Sequence, residues 1–170
     1  MLRVLLPLTL LAGCAPAVGR YPATPSPTPI EITYETGPCY GTCPVYSVRI
    51  DSLGRAGVFD GKRFVAAPGR HEFAVTFAQF DAVLRAVSGA FAASSADYTV
   101  GGRHCGEYVT DRPSITVTIR EGNAEPKSVR YDLGCRDPQN ATLAASLRSV
   151  PSLLPIGHLI GPDSATPSRR

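Results

Sequence analysis

Hydrophobic and polar residues alternate along the first half of the chain's body and recur at helical spacing later. In Val45 to Ile50, one face carries Tyr46, Val48 and Ile50 and the other Val45, Ser47 and Arg49, the period-two pattern of a half-buried strand. Ile30 to Tyr34 reads as a strand before it. Asp51-Ser52-Leu53-Gly54 supplies turn chemistry toward Arg55 to Asp60, which predicts a hairpin. Asp60-Gly61 and Pro68-Gly69 punctuate two further extended pieces, Arg63 to Ala66 and Arg70 to Val75, and extend the prediction to a meander.

The period then changes. Thr76 followed by Gln79 fits a capping box, in which the hydroxyl and the amide each satisfy an orphan backbone N–H. Phe80, Val83, Leu84, Val87 and Phe91 form one apolar stripe able to cover a sheet face. Ile115, Val117 and Ile119 alternate with polar neighbours, as do Val129, Tyr131 and Leu133 after a loop through Gly122 and Pro126, so a second hairpin is expected. Asp137 before Pro138 reads as N-cap and first residue of a short helix with Leu143 and Leu147 inward. The expected fold is α+β: an antiparallel sheet of hairpins covered by two helices, one domain over residues 30–150. No repeat at a fixed period argues for a solenoid or propeller.

The ends differ from this body. Arg3, the nine-residue apolar-rich run Val4 to Ala12, and Gly13 match the charged, apolar and small-residue regions of an export signal. The run is far short of the roughly 20 residues a membrane-spanning helix needs. Leu11-Ala12-Gly13-Cys14 resembles the lipobox of bacterial lipoproteins. That resemblance implies that residues 1–13 are a signal peptide removed before Cys14, and that Cys14 carries the acyl chains that fasten the protein to a membrane. Two or more buried chains hold stably where one holds marginally. Ala15 after that cysteine does not resemble an inner-membrane retention signal, which favours the outer membrane in a diderm host. Ala15 to Pro29 holds five prolines and no acidic residue, so residues 14–29 are expected to be a lipidated cysteine and an extended tether. Residues 151–170 are expected to be a partly disordered tail, with Leu153 to Ile160 docking loosely.

Charge narrows the partners. Residues 30–150 hold 13 Lys and Arg against 13 Asp and Glu, so the formal +3 of the 170-residue chain comes from its ends. A neutral body without a basic block offers no footprint for a phosphate backbone, so nucleic acid is not an expected partner. The expected partners are the membrane, through the anchor, and an envelope protein or ligand.

With Cys14 assigned to lipid, Cys39, Cys43, Cys105 and Cys135 remain. An even number in an exported domain points to disulfides. Spacing leaves three connectivities open, and chain entropy favours bridges from the Cys39/Cys43 loop to Cys105 and Cys135. Those bridges would close loops of about 60 to 100 residues and contribute roughly 4 to 5 kcal/mol each. Two other chemistries use the same thiols. Cys39 and Cys43 as a redox pair have C-x-x-x-C spacing and a strand to follow, unlike the C-x-x-C that opens a helix and lowers a thiol pKa. Zinc would need the four cysteines or three with His104. No G-x-S-x-G or H-E-x-x-H is present, no pair of carboxylates is marked for acid/base work, and Gly101-Gly102 does not lead into a helix. No cofactor or catalytic residue is predicted. Tyr40, Asp111 and Arg112 are the candidate binding residues.

The string Gly37-Pro38-Cys39-Tyr40-Gly41-Thr42-Cys43-Pro44-Val45-Tyr46-Ser47, the Val48 to Asp60 hairpin, the Phe77 helix, Thr110 to Ser114 and Leu133-Gly134-Cys135 resemble a bacterial family. It is the domain of unknown function 6438, often carried on lipoproteins. The resemblance covers roughly residues 30–150 and implies domain limits and an envelope location without an activity. The expectation is therefore a lipid-anchored envelope protein with a non-catalytic binding or structural role. The alternative is a thiol-disulfide or zinc-binding protein using Cys39 and Cys43.

Overall fold

The computed structural model describes residues 28–54, 56–92 and 97–161. The expected signal peptide, Cys14, the tether up to residue 27 and residues 162–170 lie outside them. Six strands, β1 (Ile30–Thr36), β2 (Val45–Asp51), β3 (Gly57–Arg63), β4 (Gly69–Phe73), β5 (Ser114–Glu121) and β6 (Lys127–Asp132), form one sheet in the order β4-β3-β2-β1-β5-β6. Every pairing is antiparallel. The first four strands are the expected meander. The later hairpin returns to pair β5 with β1, from Ile30 opposite Glu121 to Thr36 opposite Ile115.

Alternation decides what is buried. Phe59, Val48, Tyr34, Val117 and Val129 face one another in a row across five strands, and the first four are buried. Burying a side chain such as Phe59 contributes about 1.5–3 kcal/mol. On the opposite face Glu31, Thr33, Ser47, Arg49, Thr116 and Thr118 are all at least partly exposed.

Helix α1 (Phe77–Ser88) starts as the sequence predicts. The Thr76 hydroxyl accepts from the Gln79 N–H at 3.2 Å, and the Gln79 side chain accepts from the Thr76 N–H at 2.9 Å. It buries Phe80, Val83 and Val87. Asp137 accepts from the Gln139 N–H at 2.9 Å and opens a 3-10 turn, Pro138–Asn140, that leads into α2 (Ala141–Ser149), whose Ala144 and Leu147 are buried. The architecture is α+β, as expected.

Three local expectations give way. Asp60-Gly61 does not turn the chain: β3 runs through it to Arg63, with Asp60 opposite Arg70 and Gly61 opposite Gly69. Gly61 is there because a Cβ would lie 2.8 Å from Val65 and 3.0 Å from Phe59. Arg63 to Ala66 is accordingly a strand end and a turn, with Phe64 at φ 55°, and β4 ends at Phe73. The segment Leu153 to Ile160 is not loosely docked. A 3-10 turn, Val150–Leu153, and the single turn α3 (Gly157–Ile160) bury Leu154, Ile156, Leu159 and Ile160 in the main core. The carbonyls of Leu159 and Ile160 accept from Ala67 and Ala66. Prolines 151 and 155 allow this because turns, unlike an α-helix interior, do not need the missing N–H.

Candidate functional site

The two bridges are Cys39–Cys43 and Cys105–Cys135, not the cross-loop pairing that chain entropy favours. Register is the reason. The Cys39 loop must turn from β1 into its immediate neighbour β2, which brings Cys39 and Cys43 to a Cα separation of 5.8 Å, within bridging range. Cys135 instead follows β6, across two strand positions from the β1/β2 turn, and meets Cys105 on the segment that leads to β5.

Tyr40, the Cys39–Cys43 bridge, Asp111, Arg112 and Cys135 nonetheless lie toward one end of the sheet, where β1 and β6 finish and β2 and β5 begin. The Cys39–Cys43 loop is clamped at both legs. The Gly37 N–H donates to the Ser114 carbonyl at 2.8 Å. The Thr36 hydroxyl donates to the Pro44 carbonyl at 2.8 Å and accepts from the Tyr46 N–H at 3.1 Å. Between the two half-buried cysteines the chain projects Tyr40, which is 87% exposed, with Gly41 at φ 129°. A disulfide, two flanking prolines and these hydrogen bonds hold the phenol in water without any packing of its own.

Asp111 and Arg112 lie in the loop that enters β5 and are exposed. Asp111 sits at φ 67°, the left-handed region that costs a non-glycine residue of order 1 kcal/mol or more. On the other side of the Tyr40 loop, Phe64 also has a left-handed backbone, and the Arg63 guanidinium lies 5.4 Å from its ring centroid. Among the described residues these are the two non-glycine positions of that kind. Arg63 pairs with Val45 at the start of β2, so Phe64 and Asp111 flank the Tyr40 loop along a single rim.

A buried network supports the β5 side. The Cys105–Cys135 bridge is enclosed, and the Val109 N–H donates to the Gly134 carbonyl at 2.9 Å. Asp132, almost fully buried, accepts from the Tyr108 hydroxyl at 3.3 Å and the Gly134 N–H at 3.0 Å. Desolvation first, and then the Asp132 charge, raise the Tyr108 pKa above its ordinary value, so Tyr108 stays a neutral donor. Gly134 has no room for a Cβ, which would press on the Tyr108 ring at 2.6 Å. The sequence pattern assigns no site role to Asp132, Thr36, Tyr108 or Phe64. The Leu133-Gly134-Cys135 string was the signal for the Gly134 contact, while nothing local marks Thr36.

The rim holds donors, two aromatic rings and opposite charges, and among the described residues it brings no nucleophile together with a base. The His104 Nδ1 accepts from the Asp97 N–H at 3.3 Å. Among the described residues no group of three or more His, Cys, Asp or Glu side chains is placed to hold a metal ion, and the four cysteines that a zinc site would use are split into two bonded pairs. A shallow groove of about 420 Å³ lies elsewhere, on the open sheet face between Glu31, Arg49, Asp51, Val58, Arg70 and Glu72. Within it Arg49 lies 3.9 Å from Glu31 and Arg70 3.4 Å from Glu72. No predicted site residue lines it.

The sequence model of a family described as a domain of unknown function, DUF6438, matches residues 30–151. No curated protein matches the chain.

Proposed function

The chain belongs to the DUF6438 family, and from that premise we propose that it is a lipid-anchored envelope protein whose domain binds a partner through the Tyr40 rim and catalyses no reaction. One observation carries the binding reading: the two strained non-glycine residues, Phe64 and Asp111, stand on either side of the fully presented Tyr40. Strained backbone persists only where surrounding structure enforces it, and it concentrates at sites that contact other molecules. A rigid phenol loses little conformational entropy on contact and offers both an apolar ring and a hydrogen bond, which suits a binding anchor. The anchoring half of the proposal comes from Leu11-Ala12-Gly13-Cys14 and the proline-rich stretch behind it.

Site-specific photo-crosslinking in intact cells tests the binding half. A photoreactive phenylalanine in place of Tyr40 is expected to give a discrete adduct, and the same group in place of Asn123, exposed at the other end of the sheet, is expected to give none. Identical products from both positions, or none from Tyr40, contradict the proposal.

A second reading, thiol-disulfide exchange, is favoured by the unequal burial of the bridges: Cys39 and Cys43 are half-buried, whereas Cys105 and Cys135 are enclosed. A strand rather than a helix follows Cys43, so no helix N-terminus is available to stabilise a thiolate. Ready cycling of the Cys39–Cys43 pair with a small dithiol, together with a depressed thiol pKa, is the result that would promote this reading over binding.

A further inference from the structure

At the end of the sheet opposite Tyr40, Leu53 on the β2–β3 turn and Phe77 at the start of α1 form an exposed apolar edge, with 46% and 65% of their surface in solvent. The edge is rigid. The Leu53 N–H donates to the Asp51 carboxylate at 2.9 Å, Gly54 holds φ 67°, and the Phe77 ring lies over Gly54 so closely that a Cβ there would be 3.2 Å from it. Phe77 is thus supported by the turn rather than drawn into the core.

The chain enters the domain at this same edge. The Ile30 N–H donates to the Ser52 hydroxyl at 2.9 Å, and the Ser52 N–H donates to the Ile30 carbonyl at 2.8 Å. The first described strand and the turn that carries Leu53 are therefore tied together. We infer that the Leu53–Phe77 edge rests on the lipid surface to which the chain is fastened, an inference that builds on the anchored reading. Fifteen residues separate Cys14 from Ile30, so the anchor and this edge are near one another along the chain. The apolar edge then selects which end of the domain faces the lipid. Leu and Phe side chains gain by entering the boundary between headgroups and acyl chains, and the anchor keeps them at high local concentration there. In this orientation the Tyr40 rim stands one strand length away from the membrane, facing its partner.

The chain has no tryptophan, so a single introduced indole reports its own depth. The experiment uses the acylated full chain in phosphatidylcholine vesicles whose acyl chains are brominated, with Phe77→Trp, Leu53→Trp and Tyr40→Trp made separately, and flotation run on each sample. Phe77→Trp and Leu53→Trp are expected to show blue-shifted emission and loss of intensity in brominated vesicles; Tyr40→Trp is expected to show neither. Chains that float while all three indoles stay unquenched, or with only Tyr40→Trp quenched, overturn the docked edge and leave the anchor standing. A chain that does not float overturns both. The two exposed reporters lie on different elements, so misfolding of one variant leaves the other to decide.

Discussion

Cys105 is bonded to Cys135 with their Cα atoms 4.5 Å apart, both enclosed in the core, where they tie the segment before β5 to the end of β6. The bridge spans 30 residues, and in the chain-entropy model a loop of that size contributes about 3.5 kcal/mol, against about 2 kcal/mol for the four-residue separation of Cys39 and Cys43. Replacing both members of each pair with Ala is expected to lower the unfolding free energy in that order in urea denaturation. A larger loss from the Cys39/Cys43 variant contradicts the assignment.

Ile156 is fully buried in the main core although it lies beyond the two principal helices. Ile156→Ala is expected to cost about 2–5 kcal/mol, the range for large-to-small changes in a core. A loss below about 0.5 kcal/mol, as at an ordinary surface site, would show that this segment does not belong to the folding unit.

Thr76→Ala removes one arm of the capping box that opens α1. The expected loss is about 1 kcal/mol, read as a lower urea midpoint with an unchanged slope. Thr76→Ser keeps the acceptor and is expected to retain most of that stability. Equal losses from the two substitutions contradict the capping role.

Tyr34 and Tyr46 give the fold a defined alkaline limit. Burial, reinforced at Tyr34 by the neighbouring Tyr46 phenol and partly offset by Arg148, pushes the Tyr34 pKa well above 10.0; burial also raises that of Tyr46. Above pH 10 the unfolded chain releases phenolic protons that the folded chain retains, so stability is constant with respect to these groups below that pH and falls as pH rises past it. The unfolding free energy from urea titrations followed by circular dichroism should begin to decline above about pH 10, near the ordinary phenol pKa, and Tyr34→Phe with Tyr46→Phe should make the decline shallower. An unchanged alkaline profile in the double variant contradicts this origin.

The strands and α1 were legible because their burial pattern is periodic and their ends carry local chemistry, as Thr76 with Gln79 and Asp137 with Pro138 demonstrate. Asp60-Gly61 misled because a glycine needed for close packing against Val65 and Phe59 looks the same in sequence as a glycine needed for a turn. The disulfide partners depend on which strands become neighbours, and loop entropy acts only on the unfolded chain, so it cannot outweigh a sheet register that holds Cys39 beside Cys43. Of the rim, Tyr40, Asp111 and Arg112 were visible as loop residues among turn formers. Phe64 was not, because its left-handed backbone follows from the β3 end and the contacts of Ala66 and Ala67 with Ile160 and Leu159, which join distant parts of the chain.

Everything proposed about location turns on Cys14. Growth with a labelled fatty acid, followed by isolation of the wild-type and Cys14→Ser proteins, tests it most directly. The wild-type chain is expected to carry label, to begin at residue 14 and to sediment with membranes, while Cys14→Ser is expected to carry none and to leave the membrane fraction. An unlabelled wild-type chain recovered from the cytosol with its first thirteen residues intact and its four other cysteines reduced would contradict the account.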